Sequence, residues 1–394
     1  MMALAWIVGG LAGLLSVPVL VLCLQVVAAW LPRQREVLTR PEGVRVAVLV
    51  PAHNEALGIA TTLAAILPQT QPQDTVLVVA DNCSDDTALV ARAAGAQVVE
   101  REHATQRGKG FALDFGVQVL AQQAPDVLVI VDADCTVSKE GISRLVARAM
   151  ATGRPVQALY LMRAPAESGL KMRLAEFAWR VKNQVRPTGF ARLGLPCPLM
   201  GTGMAFLWSV LAQVSLANGH LAEDMKLGID LAAMGSAPLF DDRVQVDSLF
   251  PTQVSAQSSQ RTRWEHGHLG LMLAQAPRLF WRGLQQMNRN MLAMALDIAV
   301  PPLALLTVFL FVSLLLSTGL LFTAAPVWAW YLSLFDVMLF GGSVLLAWLG
   351  WGREVVSLSN LLYVPFYVLG KLPRYVAFLF KRQKQWVRTE RDKH

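Results

Sequence analysis

Residues 3–31, ALAWIVGGLAGLLSVPVLVLCLQVVAAWL, carry no charged side chain. About 20 apolar residues suffice to cross the hydrocarbon core of a bilayer, so this stretch predicts a spanning helix at the N-terminus. A secretory leader would carry its positive charge before the apolar run, whereas here Arg33, Arg35 and Arg40 follow it. The positive-inside rule then places the N-terminus outside and residue 40 in the cytoplasm. Two more long apolar runs, 298–324 and 326–351, are joined by the short TAAP turn and read as a helical hairpin. Asp297 lies at its edge and Asp336 inside it. An intramembrane carboxylate is a functional candidate by default, and packing against a neighbouring helix is the equal alternative.

Segment 355–380 is apolar but interrupted by Pro365, Gly370, Lys371, Pro373 and Arg374, which fits a helix lying in the interface better than another span. Three spans starting outside put the basic tail KRQKQWVRTERDKH in the cytoplasm, where such charge belongs. Only 16% of the 394 residues are charged and 54% are hydrophobic, which argues against a wholly soluble protein. A net charge of +7 on so apolar a chain points to a membrane surface as the anionic partner, not to nucleic acid. Cys23, Cys83, Cys135 and Cys197 show no CxxC spacing, so neither a disulfide framework nor a zinc site is expected.

Between residues 41 and 290 the pattern changes. VRVAVLVP (44–51), TVLVVAD (75–81), AQVVE (96–100) and VLVIVDAD (127–134) are continuous apolar runs, as in strands buried on both faces. Stretches 56–67, 84–94, 108–123 and 139–151 between them have helical periodicity. Strand, helix, strand repetition predicts a doubly wound, mostly parallel sheet, whose ligands bind beyond the carboxyl ends of the strands. Three of those ends are polar: Pro51 to Glu55, Asp81 to Thr87, and Asp132 to Asp134. On a strand, residues two apart face the same way, so Asp132 and Asp134 are expected to present two carboxylates to one hard cation.

Arg107, Gly108, Lys109 and Gly110 form a basic, flexible helix start suited to phosphate, without the spacing of a Walker loop. Residues 168–185 read as an amphipathic helix, on a membrane surface or packed on a core. Gly201 and Gly203 in GLPCPLMGTGMAFLW (194–208) allow close backbone approach to a substrate or a plain turn. Glu223 and Asp224 open a helix over 224–234, where acids often serve only the helix dipole. Gln260, Arg261, Arg263 and Trp264 make a polar and aromatic cluster before the hairpin. Arginine suits phosphate oxygens there, and tryptophan the face of a sugar.

In order, PAHNE, DNCSDDT, DAD, the glycine-rich segment, the acidic pair and QRTRW resemble the family 2 glycosyltransferases of GT-A fold over roughly residues 44–270. The likeness is to the membrane-embedded branch that includes cellulose and hyaluronan synthases, ceramide glucosyltransferase and bacterial exopolysaccharide or glycolipid enzymes. It implies an α/β GT-A domain, Rossmann-like and mostly parallel, joined to transmembrane helices. The implied layout is an N-terminal span at 1–32, a cytoplasmic catalytic domain at 41–290, a transmembrane hairpin at 297–351, and an interfacial helix with basic tail at 355–394.

By that resemblance Pro51, Glu55 and Asp81 cradle the nucleoside, Asp81 holding uracil, and Lys109 lies near the diphosphate. Asp134 binds Mn²⁺ or Mg²⁺, with Asp132 beside it near the ribose. Asp224 matches the general base, with Glu223 before it and Ala222 where threonine is common. Gly201, Thr202 and Gly203 match the acceptor pocket, and Gln260, Arg263 and Trp264 the QxxRW motif near the leaving diphosphate. The implied reaction is inverting transfer from a UDP-sugar to a lipid or glycan acceptor at the inner face of the plasma membrane. A processive polysaccharide synthase, with an oligomer to complete its channel, and a non-catalytic scaffold are the alternatives.

Overall fold

The computed structural model describes residues 2–33, 36–217, 220–323 and 326–380. The basic tail and the middle of the TAAP turn lie outside the described residues. Two compact units divide the chain: residues to 33 with 166–194 and those from 268 onward, and residues 36–165 with 195–267. The stretch 41–290 expected to form one domain therefore includes two segments, 166–194 and 268–290, that group with the apolar helices.

The second unit is built on one sheet of eight strands. These are β1 (Val46–Ala52), β2 (Thr75–Asp81), β3 (Gln97–Arg101), β4 (Val127–Ile130), β5 (Thr136–Val137), β6 (Val156–Arg163), β7 (Met204–Leu207) and β8 (Leu239–Leu249), in the order β3-β2-β1-β4-β7-β6-β8-β5. β1 pairs in parallel with β2 and β4, and β2 with β3, while β7 runs antiparallel between β4 and β6. The chain winds outward from β1 through β2 and β3, then returns to place β4 on the other side of β1. That reversal opens a crevice at the carboxyl ends of β1 and β4. Leu49, Leu77, Leu128, Ile130 and Phe206 are fully buried in the core beneath it, as the continuous apolar runs require.

One expectation needs correction. The fourth run does not continue as a strand to residue 134: β4 ends at Ile130, and Asp132 to Cys135 form a turn closed by the Cys135 amide donating to the Asp132 carbonyl at 3.1 Å. The turn, and not strand alternation, brings the two carboxylates together.

The first unit contains three helices long and apolar enough to cross a membrane, Met2–Ala29, Leu303–Leu320 and Trp328–Trp351. At a rise of about 1.5 Å per residue, they extend about 42, 27 and 36 Å, against a hydrocarbon core of about 30 Å. Segment 355–380 forms three short helices, Leu358–Leu361, Val364–Leu369 and Leu372–Phe380, none of spanning length.

Residues 168–185 resolve toward the packed alternative. Helix Leu170–Arg180 runs through a π segment, Val181–Val185, into a further helix, Arg186–Arg192. Its apolar side, with Leu174 and Phe177, is buried against Leu22, Val26 and Trp348. Gly189 lies so close to helix Met2–Ala29 that a Cβ there would sit 1.8 Å from the Gln25 carbonyl oxygen. Nearby, Arg186 donates to the Gln25 side chain at 3.0 Å and to the carbonyl and carboxylate of Asp297 at 2.7 and 3.0 Å, while the Gln25 amide also donates to that carboxylate. Asp297 at the hairpin edge thus closes a buried, internally satisfied triad. Asp336, fully buried, accepts from the Ser16 hydroxyl at 3.0 Å and faces a neighbouring helix.

Candidate active site

The polar strand ends converge. A cavity of about 410 Å³ is lined by Pro51 and Glu55 after β1, Asp81 at the end of β2, Arg107 and Lys109 at a helix start, Asp132 and Asp134 after β4, and Arg263. His53, Asn82, Ser84, Gly108, Ala112 and Ala133 complete much of the wall.

Local hydrogen bonds explain how the first two ends keep their shape. Asn54 and Asn82 both adopt left-handed backbone, with φ of 54° and 51°, a conformation asparagine tolerates better than most residues. The Ser84 amide donates to the Asn54 side chain at 2.8 Å, and the Glu55 amide donates to the Thr87 hydroxyl at 2.7 Å. The DNCSDDT segment is therefore more than a helix cap: it is stitched to PAHNE.

Asp81 is buried, at 5% exposure, and faces Arg101 across the β2–β3 register. Its Oδ1 accepts from the Arg101 guanidinium at 2.6 Å and from the Asn82 side chain at 3.0 Å. Arg101 closes the third strand end, one residue beyond the run AQVVE (96–100).

Lys109 is the hub of the opposite wall. Its ammonium forms an ion pair with Asp132 and donates to the Gly201 carbonyl at 2.7 Å. Burial alone would lower the Lys109 pKa, but Asp132, Glu223 and Asp224 outweigh it and hold the group above its ordinary value. Thr202 supports the same wall, its hydroxyl accepting from the Asp132 amide at 3.0 Å. Behind it Gln157, fully buried on β6, donates to the Thr202 carbonyl at 2.8 Å and accepts from the Met200 amide at 2.8 Å. Nothing in the sequence pattern marks this glutamine, a lone amide within an apolar strand.

Gly201 has a φ of +95°, and a Cβ built on it would lie 3.3 Å from Asp224 Oδ2 and 3.5 Å from Lys109 Nζ. The acid and the lysine thus both border a backbone that only glycine adopts without strain. Gly203, with a φ of +64°, has a packing role instead: a Cβ there would meet Ala158 and Val246 at 2.8 and 2.7 Å.

Ala222 stands at the N-cap of helix Glu223–Ala233 and offers no side-chain hydrogen bond, and Glu223 and Asp224 occupy the first turn. Asp224 Oδ1 accepts from the adjacent Met225 amide at 2.8 Å. Burial and the Asp224 charge push Glu223 up to about 7, against the opposing pull of Lys109 and Arg263. Gly267 lets the helix Val254–Ala274 approach Ala222, whose Cβ would lie 3.1 Å from a Cβ at Gly267. The small residue in the place of threonine is thus matched by a close helix contact. Of the QRTRW cluster, Arg263 lines the cavity, whereas Gln260 and Trp264, on the same helix, are not among its described lining residues.

The donor set fits a hard cation. Ligand atoms of Asp132, Asp134 and Cys135 all lie within 4.8 Å of one another. Burial, Asp134 and Asp132 push the Cys135 thiol well above its usual range, so it stays protonated and the carboxylates remain as oxygen ligands.

Residues 41–267 match the family model described as "Glycosyltransferase like family 2". The chain belongs to that family. The matched span contains every wall of the cavity, from Pro51 to Arg263. Among curated proteins, "Probable glycosyltransferase YdaM" of Bacillus subtilis (strain 168) is 26% identical over 258 residues. That alignment takes in 62% of this chain and 59% of the Bacillus protein, less than two thirds of its length. Among solved structures, the mannosyltransferase PcManGT from Pyrobaculum calidifontis, in complex with GDP-Man and Mn²⁺, superposes with a TM-score of 0.56 at 15% identity, covering 97% of this chain and 99% of its own. At that identity the likeness is one of fold, and it agrees with the family 2 assignment and the GT-A architecture.

Proposed function

We propose that this chain moves a single sugar from a nucleotide sugar, a UDP-linked hexose, to a hydroxyl of a lipid or lipid-linked acceptor at the inner leaflet, inverting the anomeric carbon. Within its family this assigns it to the membrane-embedded branch. The observation that carries the reading is that Asp224 Oδ2 and Lys109 Nζ both border Gly201, with Lys109 paired to Asp132 and Asp132 beside Asp134.

Asp134, with Asp132, would hold Mn²⁺ or Mg²⁺, which when bound neutralises charge on the donor diphosphate. Lys109, Arg107 and Arg263 bring three cationic side chains to the same cavity and stabilise the charge that develops on the leaving diphosphate. Asp224 takes the proton from the acceptor hydroxyl as its oxygen bonds to the anomeric carbon, and the bond from that carbon to the diphosphate oxygen breaks. One displacement with one base and no enzyme nucleophile inverts the centre. Gly201 leaves room for the acceptor beside the base.

Asp81 supports uracil over guanine. Two donors occupy its Oδ1, which leaves one oxygen to receive a base, and uracil offers a single N–H between two carbonyls. Guanine offers two adjacent donors and is served by a carboxylate with both oxygens open.

Arg33 and Arg40 follow the first apolar helix, which supports a cytoplasmic site and a plasma-membrane location. Three spanning-length helices among the described residues are few to enclose a polysaccharide channel, which favours single transfer over polymerisation.

Purified Asp224→Asn protein tests the assignment: nucleotide-sugar binding stays at the native level while transfer falls by about 10²–10⁴-fold. Normal transfer in that variant overturns the general-base role. Sizing the labelled product separates one added sugar from a polymer.

A further inference from the structure

Helix Ala276–Gln285 and the turn after it carry a surface that the sugar-transfer reading does not use. One side of the helix, with Ala276, Leu279 and Gly283, is buried. Gly283 seats it on the following helix, Arg289–Ala299, where a Cβ would meet Leu292 at 3.0 Å. At about 100° per residue, half-buried Phe280 falls next around the helix, then Leu284, Pro277 and Trp281, and Arg278 and Arg282 lie beyond them. Trp281 is 65% exposed and Leu284 40%. Arg278 and Arg282 are also exposed, as is Arg289 in the next helix, and none of the three pairs with an acidic side chain among the described residues.

The turn extends the apolar stripe. Met287 is 89% exposed and holds a φ of +50°, which asparagine or glycine would adopt at lower cost. Asn288 accepts from the amides of Asn290 and Met291 at 3.0 and 3.2 Å and starts the next helix. Only residues 300–302 then separate that helix from the spanning-length helix Leu303–Leu320.

We propose that this face lies in the lipid interface and selects anionic headgroups. Trp281, Leu284 and Met287 enter the boundary between headgroups and acyl chains, where tryptophan is favoured, and the three arginines meet lipid phosphates beside them. The arrangement, an apolar stripe bordered by unpaired arginines and joined by a short connection to a spanning helix, matches a membrane surface. The inference rests on the membrane reading of the apolar helices, not on the transfer chemistry, so its test needs no turnover.

The full chain, with p-benzoylphenylalanine replacing Trp281, is reconstituted in nanodiscs of equal phosphatidylcholine and phosphatidylglycerol, irradiated, and analysed by mass spectrometry. The expected result is lipid adducts at position 281, enriched roughly fivefold for phosphatidylglycerol. The same protein carrying Arg278→Gln, Arg282→Gln and Arg289→Gln should form lipid adducts at equal headgroup usage. Absence of lipid adducts in the otherwise native chain, adducts to a second copy of the chain, or equal headgroup usage before the arginines are changed overturns the proposal. Because the native arginine set alone decides the occupant, misfolding of the triple variant does not rescue it.

Discussion

Buried charge is handled in opposite ways by the two units. In the helical unit Arg186, Gln25 and Asp297 satisfy one another by direct hydrogen bonds, and their side chains fix three helices at one point. In the cavity unit Lys109 answers to Asp132, Glu223 and Asp224 together, and burial with the Asp224 charge beside it lifts Glu223 to about 7. A closed triad serves position, whereas Lys109, which lines the cavity, ties the acids behind it to whatever ligand enters there.

That contrast predicts where damage falls. Arg186→Ala strands the Asp297 carboxylate among apolar helices and should cost about 3–5 kcal/mol, read as loss of folded protein in detergent melts. Arg186→Met combined with Asp297→Leu should recover much of that loss, since no charge is left unpaired. If the single variant melts like the native chain, the triad does not hold the helices.

In the cavity unit the order reverses, with function suffering more than stability. Asp134→Asn should leave the melting temperature within the error of the native protein and abolish its rise on adding Mn²⁺ with UDP. A metal-dependent rise that survives the change moves the cation elsewhere.

Gln157→Leu stands between the two cases. It leaves the Thr202 carbonyl and Met200 amide without their partner, at about 1–3 kcal/mol for each group left unsatisfied. Because that loop carries the Gly201 carbonyl bound by Lys109, the donor KM should rise more than kcat falls. Equal melting loss with unchanged KM would make Gln157 a packing residue only.

The smallest effect is in pH dependence. Folded Glu223 titrates near 7 against an ordinary 4.5, so between those values the folded chain holds a proton that the unfolded chain has released. Stability from this group therefore falls as pH rises from 4.5 to about 7 and is flat above. Glu223→Gln should remove that slope from the melting profile. An unchanged profile contradicts the coupling of the two acids.

Much of this layout is legible in the chain itself. Continuous Val, Leu and Ile runs mark β1, β2 and β4 because both faces of those strands are buried, and the polar residues after them mark the crevice. Arg101 is hidden because the apolar run of β3 stops at Glu100, while its pairing with Asp81 depends on register. Helix Arg186–Arg192 is masked by Pro187 and Gly189, which normally interrupt helices. Here the proline stands in the first turn after a π segment, and the glycine is what allows contact with Gln25. The turn at Asp132 to Cys135 reaches by local hydrogen bonding the same pairing that strand alternation suggests, so composition does not separate the two.

Asp132, Asp134 and Lys109 are expected to hold the donor nucleotide, with Asp224 beside them acting on the acceptor alone. Calorimetric titration of UDP into the full chain, with and without Mn²⁺ and with GDP as competitor, tests this assignment most directly. UDP binding is expected to require Mn²⁺, to exceed that of GDP, and to be lost in Asp134→Asn but kept in Asp224→Asn. Nucleotide binding that ignores both Mn²⁺ and Asp134 would contradict it.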